Sequence, residues 1–171
     1  YKNNNYDLII ASQAYRAAAS VSVKVNNVIG PLMRLLNKSG KLIVTHSSGG
    51  DSVQKILKLA FKDREAFPNT AKDIVDYLKD NPVGENNKYI FAKPKNYFFN
   101  FKRAPDQTVT ELFGHNTDAK WANIVYVGQI PDKDILGLEK NNRLYTKVKK
   151  AIDAAGEIQF KNEIFSIKKT R

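Results

Sequence analysis

The pattern of hydrophobic and polar positions along the first sixty residues predicts the order strand, helix, strand, helix. Residues 6–12 (YDLIIAS) form a short apolar run, which is typical of a strand buried on both faces. A helical pattern runs from about Val21 to Asn37, and Gly40 is expected to stop this helix. Residues 41–46 (KLIVTH) predict a second buried strand, and residues 52–61 predict the helix that follows it.

This order of elements indicates parallel strands that are joined by crossover connections, and hence an open α/β sheet. Ligands of such sheets bind beyond the carboxyl ends of the strands. Residues 11–16 and 46–51 follow the two strands, so we expect them to lie side by side at one candidate site. Gly30-Pro31 interrupts the first helical pattern, and the helix leading into the second strand is expected to begin near Pro31.

The remainder of the chain predicts shorter elements that are separated by turn and capping residues. These elements are a helix over 71–79 capped by Asn69-Thr70, strands over 89–92 and 97–101 separated by Pro94, a mixed stretch over 112–130, a helix over 141–155, and a hairpin of 157–160 and 163–169 around Lys161-Asn162. The apolar run 121–130 fits a buried helix, with a strand as the alternative. We expect the aromatic residues of the two middle strands to be buried or partly buried rather than to form a substrate-facing lip.

Two segments of the chain resemble a known family. YDLIIASQAY, followed by LLNKSGKLIVTHSSG, resembles the second half of a class I S-adenosylmethionine-dependent methyltransferase. In that family the fourth strand ends in a short loop beside the methionine part of the cofactor, and a helix leads through LL-x-x-x-G-K-L into the fifth strand. WANIVYVGQI and GEIQFKNEIFSIKK resemble the ends of a bacterial small-molecule subgroup of that family.

The resemblance implies a Rossmann-like open sheet that ends in an antiparallel strand pair, and S-adenosylmethionine as the cofactor. The family's glycine-rich loop and its acidic residue at the end of strand two would precede Tyr6. We therefore expect residues 1–171 to be a single domain that forms the C-terminal part of a methyltransferase, with residues 62–130 shaping the acceptor pocket. Alone, such a fragment is expected to bind cofactor poorly and to be inactive. Its apolar sheet edge is expected to be covered by the missing half or by a second copy.

The loop after the first strand carries the candidates for contact with the cofactor. Methyl transfer from a sulfonium requires chiefly in-line positioning, with a base only where the acceptor carries a proton. Ser12 and Gln13 are expected to hydrogen-bond the methionine end of the cofactor or the acceptor. Tyr15 is suited to a cation–π contact with the sulfonium, and Arg16 to binding a carboxylate of the substrate. The alternative is an ordinary polar loop in which Ser12 caps the next helix.

His46 ends the second strand and is a candidate general base, because imidazole titrates near neutral pH. The alternative is a histidine that only hydrogen-bonds the following turn. His115, in the polar loop GHNTDAK, is a weaker catalytic candidate, and Trp121 is a candidate for substrate binding. Two histidines without a spaced set of carboxylates do not predict a metal site.

Composition narrows the remaining function classes. The chain has no cysteine, which excludes thiolate catalysis and zinc–thiolate sites and fits a reducing cytoplasm. It also has no apolar stretch long enough to span a bilayer, so no membrane partner is expected. The net charge of +11 leaves a nonenzymatic nucleic-acid-binding module as an alternative, with Lys93, Lys95, Lys102 and Arg103 beside exposed Tyr97 and Phe99. A methyltransferase-like domain kept only for assembly is a third possibility.

Overall fold

The computed structural model describes residues 5–60, 65–84, 87–100, 140–154 and 159–171. Along the chain their elements are β1 (Tyr6–Ser12), α1 (Val21–Lys24), a π-helix (Val25–Ile29), α2 (Gly30–Arg34), β2 (Leu36–Ser47), α3 (Asp51–Ala60), α4 (Ala71–Asp80), β3 (Tyr89–Phe91), β4 (Lys95–Asn100), α5 (Asn142–Ala154) and β5 (Gln159–Lys169). The fold is therefore of the α/β class, as the sequence predicts.

The described strands form one mixed sheet of five strands. β1 pairs in parallel with β2, and the helical segment between them makes the crossover connection. β5 is antiparallel to β2, and β3 is antiparallel to β5, which gives the order β1-β2-β5-β3 with β4 also paired to β5. β1 is thus an edge strand of the described sheet, and most of its side chains are exposed, so the expectation that it is buried on both faces is wrong. The predicted parallel pair is confirmed.

The chain divides into two compact units. The first has its described residues within 1–48, 68–97 and 162–171, and it holds the candidate site. The second has its described residues within 49–67 and 98–161; there α3 packs with α5, and Val53, Phe67 and Val148 are buried.

The sheet of the first unit has two unlike faces, because successive side chains of a strand point to opposite sides. The covered face packs against the π-helix, α2 and α4, and its buried side chains are Ala11, Leu42, Val44, His46, Glu163, Phe165 and Ile167. The open face, which the strand registers define, carries exposed apolar side chains at Leu8, Ile10, Ile90 and Ile164. Burying one large aliphatic side chain contributes about 1.5–3 kcal/mol, so the covered face holds the core of this unit.

The helical segment after β1 passes through a wider turn just before its proline. The N–H of Gly30 donates to the carbonyl of Val25, five residues back, and Pro31 lies in the first turn of α2. Proline has no N–H to donate and its ring clashes with the carbonyl four residues back, so a widened turn accommodates it without a break. α2 begins at Gly30, next to the start predicted near Pro31, but the chain runs into it from the π-helix without a break.

Gly40 differs from its prediction as a helix stop. The helix ends at Arg34, and β2 begins at Leu36, so Gly40 lies inside a strand. A Cβ atom at Gly40 would lie 2.7 Å from the carbonyl oxygen of Tyr6, beside the irregular register between β1 and β2. This glycine is therefore needed for the close approach of two strands.

The predicted hairpin at the end of the chain is wrong. Residues 159–169 form a single strand, and Asn162 pairs with Ser47 of β2 rather than making a turn. The ladder to β2 pairs residues 162–168 with residues 41–47, and its backbone hydrogen bonds outweigh the local turn preference of asparagine.

The middle of the chain agrees with its prediction in part. α4 begins with a capping box, in which Thr70 and Asp73 each satisfy the other's backbone N–H. The aromatic side chains of β3 pack partly buried against the core, as expected. Those of Tyr97 and Phe98 in β4 are instead exposed, so the expectation of buried aromatics is wrong for this strand.

Candidate active site

The carboxyl ends of β1 and β2 meet at one edge of the sheet. Ser12 pairs with Thr45 in the strand register, and the hydroxyl of Thr45 donates to the Ser12 hydroxyl at 3.4 Å. The backbone N–H of Gln13 donates to the Thr45 hydroxyl at 3.2 Å, and Gln13 has a positive φ of 48°. A non-glycine residue in this left-handed conformation is uncommon, and here it turns the chain sharply at the end of β1. The expected juxtaposition of the two strand ends is confirmed.

Tyr15, two residues after Gln13, and His46, the residue after Thr45, are in direct contact. The phenol oxygen of Tyr15 lies 3.1 Å from Nδ1 of His46, and the ring centroids are 5.9 Å apart. Nε2 of His46 lies 2.8 Å from the backbone carbonyl oxygen of Asn69. A carbonyl oxygen only accepts, so Nε2 carries the proton and donates. In the neutral ring Nδ1 is then the acceptor, and the Tyr15 hydroxyl donates to it.

A buried lysine completes this cluster. Lys24 has an exposed fraction of 0%, and its ammonium donates to the carbonyl of Ala17 at 2.6 Å and to Oδ1 of Asn69 at 2.5 Å. The same nitrogen lies 5.3 Å from the centroid of the Tyr15 ring, within the range of a cation–π contact. We call Tyr15, Lys24, His46 and Asn69 the buried network.

The chain brings these four residues together through local structure. Ser20 caps α1 by accepting from the N–H of Val23, so the helix starts immediately after the loop that carries Tyr15. The side-chain N–H of Asn69 donates to the carbonyl of Ala19 at 3.0 Å, which ties the start of α4 to the same loop. Asn69 thus has both ends of its amide bonded, and its backbone carbonyl is held where His46 needs an acceptor.

Glu163 forms a second buried polar contact at the covered face. Its Oε2 accepts from the hydroxyl of Ser48 at 2.7 Å and from the backbone N–H of Ala71 at 2.8 Å. The latter N–H belongs to the first turn of α4, where a carboxylate is favoured by unpaired N–H groups and by the helix dipole. Glu163 therefore joins the end of β2, the start of α4 and β5.

Burial governs the protonation states of the buried network. Burial lowers the pKa of His46 below 6.5, while the hydrogen bond to the Asn69 carbonyl raises it in part. Burial also lowers the pKa of Lys24 to about 8. Burial, and then the charge of Glu163, raise the pKa of Tyr15 above its ordinary value. At neutral pH the phenol and the imidazole are accordingly neutral, and the ammonium is mostly charged.

The remaining predicted site residues have different surroundings. Ser12, Gln13 and Arg16 are exposed, and the side-chain amide of Gln13 forms no hydrogen bond with another described residue. His115 and Trp121 lie outside the described residues. Within the part of the chain that the structure describes, no group of histidine, cysteine or carboxylate side chains is arranged to hold a metal ion.

Sequence reasoning missed Lys24, Asn69 and Glu163. Glu163 alternates in phase with Phe165 and Ile167, so its inward position could be read from the strand period. Lys24 stands among valines in a helical pattern, which is a weaker signal, because lysine usually lies at the surface of a helix. The sequence around Asn69 predicts only a helix cap. No local pattern indicates that the Asn69 carbonyl accepts a hydrogen bond from a histidine 23 residues earlier.

No protein-family model matches the sequence, and no curated protein matches it. Among solved structures, the chain is similar to a protein described as a "putative methyltransferase" from Bacillus halodurans C-125, at 11% identity and a TM-score of 0.45. That match covers 99% of this chain and 66% of the other. None of the described helices is long and apolar enough to cross a membrane.

Proposed function

We propose that this chain is the C-terminal part of an S-adenosylmethionine-dependent methyltransferase that acts on a small-molecule acceptor in the bacterial cytoplasm. The sequence resemblance over YDLIIASQAY and LLNKSGKLIVTHSSG is the starting point of this proposal. The sequence contains no glycine-rich loop of the kind the family uses for its cofactor, so the proposal assigns that loop to an upstream part of a longer protein.

One structural observation carries the proposal: polar side chains meet where the parallel strands β1 and β2 end. Ser12, Gln13 and Thr45 are joined there by hydrogen bonds, and Tyr15 and His46 follow directly. Ligands of open α/β sheets bind at this edge. The family would use the same edge for the methionine part of the cofactor.

The residues at the end of β1 fit the polar end of such a cofactor. Gln13 has an exposed amide that is not used within the described residues, and Ser12 is exposed beside it. An amide and a hydroxyl suit the carboxylate and the ammonium of a methionine moiety. Tyr15 fits its predicted role less directly, because the Lys24 ammonium already lies near its ring. A sulfonium would therefore have to approach from another direction.

When bound, the cofactor would supply an electrophilic methyl group on sulfur. The contribution of this chain would be to orient the acceptor and, where the acceptor carries a proton, to remove that proton. A neutral imidazole at His46 has the protonation state that a base requires. In this proposal residues 62–130, which include His115 and Trp121, shape the acceptor pocket.

The open face and the free edge of β1 are the surfaces that the rest of a longer protein, or a second copy, would cover. Ile10 is 64% exposed and Leu8 is 53% exposed on this face. An exposed apolar edge strand is prone to associate unless it is covered. If the protein functions only in assembly, the same surface would bind the partner, and the protein would have no affinity for the cofactor.

The proposal is tested by titrating S-adenosylhomocysteine into the product of the complete reading frame and following the heat of binding. We expect saturable binding, which a Ser12→Ala/Gln13→Ala double variant weakens by at least tenfold. Asn37→Ala is the matched control, because Asn37 is a polar residue whose amide bonds Asp7 away from this edge. A folded full-length protein that binds no S-adenosylhomocysteine would overturn the enzyme proposal.

Nucleic-acid binding is a second candidate, which the surface of β4 favours. Lys93 and Lys95 are exposed, and Tyr97 is 38% exposed beside them. Exposed aromatic rings flanked by lysines are suited to stacking with unpaired bases and to contacting phosphates. Lys102 and Arg103 lie outside the described residues.

This candidate is tested with a fluorescent single-stranded oligonucleotide. Binding that weakens steeply with salt, and that Tyr97→Ser reduces while Tyr6→Ser does not, would favour it. Tyr6 is a suitable control because it is also an exposed tyrosine, at the start of β1. Equal effects of the two substitutions would argue against a nucleic-acid interface at β4.

A further inference from the structure

We infer that Tyr15 and His46 act as one acid–base unit, in which the phenol of Tyr15 touches the methyl acceptor and the imidazole of His46 receives the proton. This inference rests on the proposed function and deepens it. It assigns the acid–base contact to Tyr15, which the sequence suggested only as a neighbour of the cofactor. His46 becomes a buried partner rather than a base that meets the acceptor itself.

The burial of His46 is the first argument. Its exposed fraction is 0%, and both of its ring nitrogens are engaged, one by Asn69 and the other by Tyr15. An acceptor molecule therefore has no direct route to either nitrogen. Tyr15 is only partly buried and lies two residues beyond Gln13, in the loop at the carboxyl end of β1. Of the two residues, only Tyr15 keeps an exposed surface, and it lies in the loop beside the proposed binding edge.

The direction of the hydrogen bonds is the second argument. Because Nε2 donates to the Asn69 carbonyl, Nδ1 has a lone pair that faces the Tyr15 hydroxyl. The acceptor would give its proton to the phenol oxygen while the phenol proton passes to Nδ1. The bond between the acceptor and its proton breaks, one O–H bond is broken and one is formed at Tyr15, and an N–H bond forms at His46. The positive charge that the sulfonium would lose with its methyl group would thus end on the imidazolium. No free tyrosinate accumulates, which matters because burial makes that anion unfavourable.

The groups around His46 account for both states of the imidazole. Burial, and to a lesser extent the charge of Lys24 from α1, lower the pKa of His46 and keep the resting ring neutral. Glu163 from β5 and Asp73 from α4 favour the charge, as does the Asn69 carbonyl, which accepts from Nε2 in both states. Asn69 is therefore a positioning residue: its carbonyl fixes the tautomer, and its amide is anchored at both ends.

The tautomer is tested by nitrogen-15 NMR of the full chain, labelled at histidine. The chain has only two histidines, so a His115→Gln variant assigns the signals of His46. At pH 7 we expect Nε2 to be protonated and Nδ1 to be unprotonated. Tyr15→Phe removes the donor that stabilises neutral His46, so it should raise the pKa of His46, whereas Tyr6→Phe should leave it unchanged.

A proton on Nδ1 at pH 7 would overturn the inference, and this measurement on the unaltered protein decides the point even if Tyr15→Phe does not fold. A His46 pKa that is the same with and without the Tyr15 hydroxyl would also overturn it. Neither result depends on S-adenosylmethionine, so the failure of this inference is distinguishable from the failure of the proposed function.

The catalytic part is tested in the longer protein with S-adenosylmethionine and pairs of amines of similar size. Proton transfer by a positioned side chain contributes about 10²–10⁴-fold to a rate, so Tyr15→Phe should slow transfer to a secondary amine by about that factor. A tertiary amine carries no proton to remove when neutral, so its rate should change little. We also expect His46→Gln to slow transfer to the secondary amine and to change transfer to the tertiary amine little, as Tyr15→Phe does. Equal losses for both amines would indicate a structural role only, and would overturn the inference.

Discussion

The two faces of the sheet differ in which side chains they bury: polar side chains are buried on the covered face, and apolar side chains are exposed on the open face. On the covered face, His46 and Glu163 are buried, and each is hydrogen-bonded to a backbone group of the segment that leads into α4. On the open face, Ile10 is more exposed than not, although isoleucine is among the residues most often buried. Burial in this unit therefore follows the layer that covers the strand and not the polarity of the residue.

This difference follows from the free-energy cost of burial on each face. Burying a polar group costs free energy unless it is hydrogen-bonded, so the covered face is stable only because its polar groups are paired. On the open face, Leu8, Ile10 and Ile164 are exposed, and these apolar residues gain nothing until another surface covers them. The cost of a substitution in free energy of unfolding should consequently depend more on which face the residue lies on than on which type of residue is replaced.

The sharpest test compares two isoleucines of the same strand. Ile167 points to the covered face with an exposed fraction of 0%, and Ile164 points to the open face with 37%. Ile167→Ala should lower the free energy of unfolding by about 2–5 kcal/mol, the usual cost of a cavity in a packed core. Ile164→Ala should cost far less. Urea denaturation of both variants measures the difference, and similar losses would show that the faces are not as unlike as described.

The second test concerns the charge of Lys24. Its pKa is about 8 in the folded protein and 10.5 ordinarily, so between these values the unfolded chain binds more protons than the folded one. Stability should therefore rise with pH over this window, and the cost of burying the charge is complete only below pH 8. Relative to Lys24→Met, the unaltered protein should gain about 2 kcal/mol between pH 7 and pH 10.

This gain is measured by urea denaturation at several pH values. Lys41→Met is the control, because Lys41 is an exposed lysine in the register row of Leu8 on the open face. Parallel pH curves for the unaltered protein and Lys24→Met would mean that the ammonium of Lys24 is not buried in the way described here.

A smaller effect is expected at Asn69. Asn69→Ala removes one of the two hydrogen-bond acceptors of the Lys24 ammonium and the donor to the Ala19 carbonyl, and a buried group that loses its partner costs about 1–3 kcal/mol. Asn37→Ala removes an exposed hydrogen bond to Asp7 and should cost clearly less. Thermal unfolding followed by circular dichroism compares them. Equal losses would indicate that the buried network contributes nothing beyond an ordinary surface hydrogen bond.

The smallest change is expected at Ile10 in this chain alone. Ile10→Ser on the open face should alter the free energy of unfolding by less than about 0.5 kcal/mol, as for most surface substitutions. The same substitution in the product of the complete reading frame should cost more if the open face is covered there. Denaturation of the two proteins side by side measures this, and an equal, small effect in both would mean that the face stays open.

The elements near the candidate site follow largely from the sequence, because their signals are local. The apolar runs of β1 and β2, the capping box before α4 and the proline near the start of α2 each fix one element through its own residues. The meeting of Tyr15 with the end of β2 follows from a general property of parallel strands. These features need no knowledge of distant residues.

The features that the sequence did not predict depend on partners far along the chain. Asn162 favours a turn by itself, yet it lies within β5 because β2 offers a ladder of hydrogen bonds. Gly40 resembles a helix stop and is required by the approach of Tyr6 instead. Lys24 is an unremarkable helical lysine until the Asn69 amide and the Ala17 carbonyl are placed beside it.

The widened turn before Pro31 has a consequence for the buried lysine. An α-helix turns through about 100° for each residue, so one additional residue in a turn changes the direction of everything on its far side by that amount. Lys24 precedes the π-helix, and Met33 of the core follows it. The proline that requires the wide turn thereby sets the angle between these two side chains. Without Pro31 the segment could form a regular α-helix throughout. If Met33 then stayed in the core, Lys24 would be rotated away from His46.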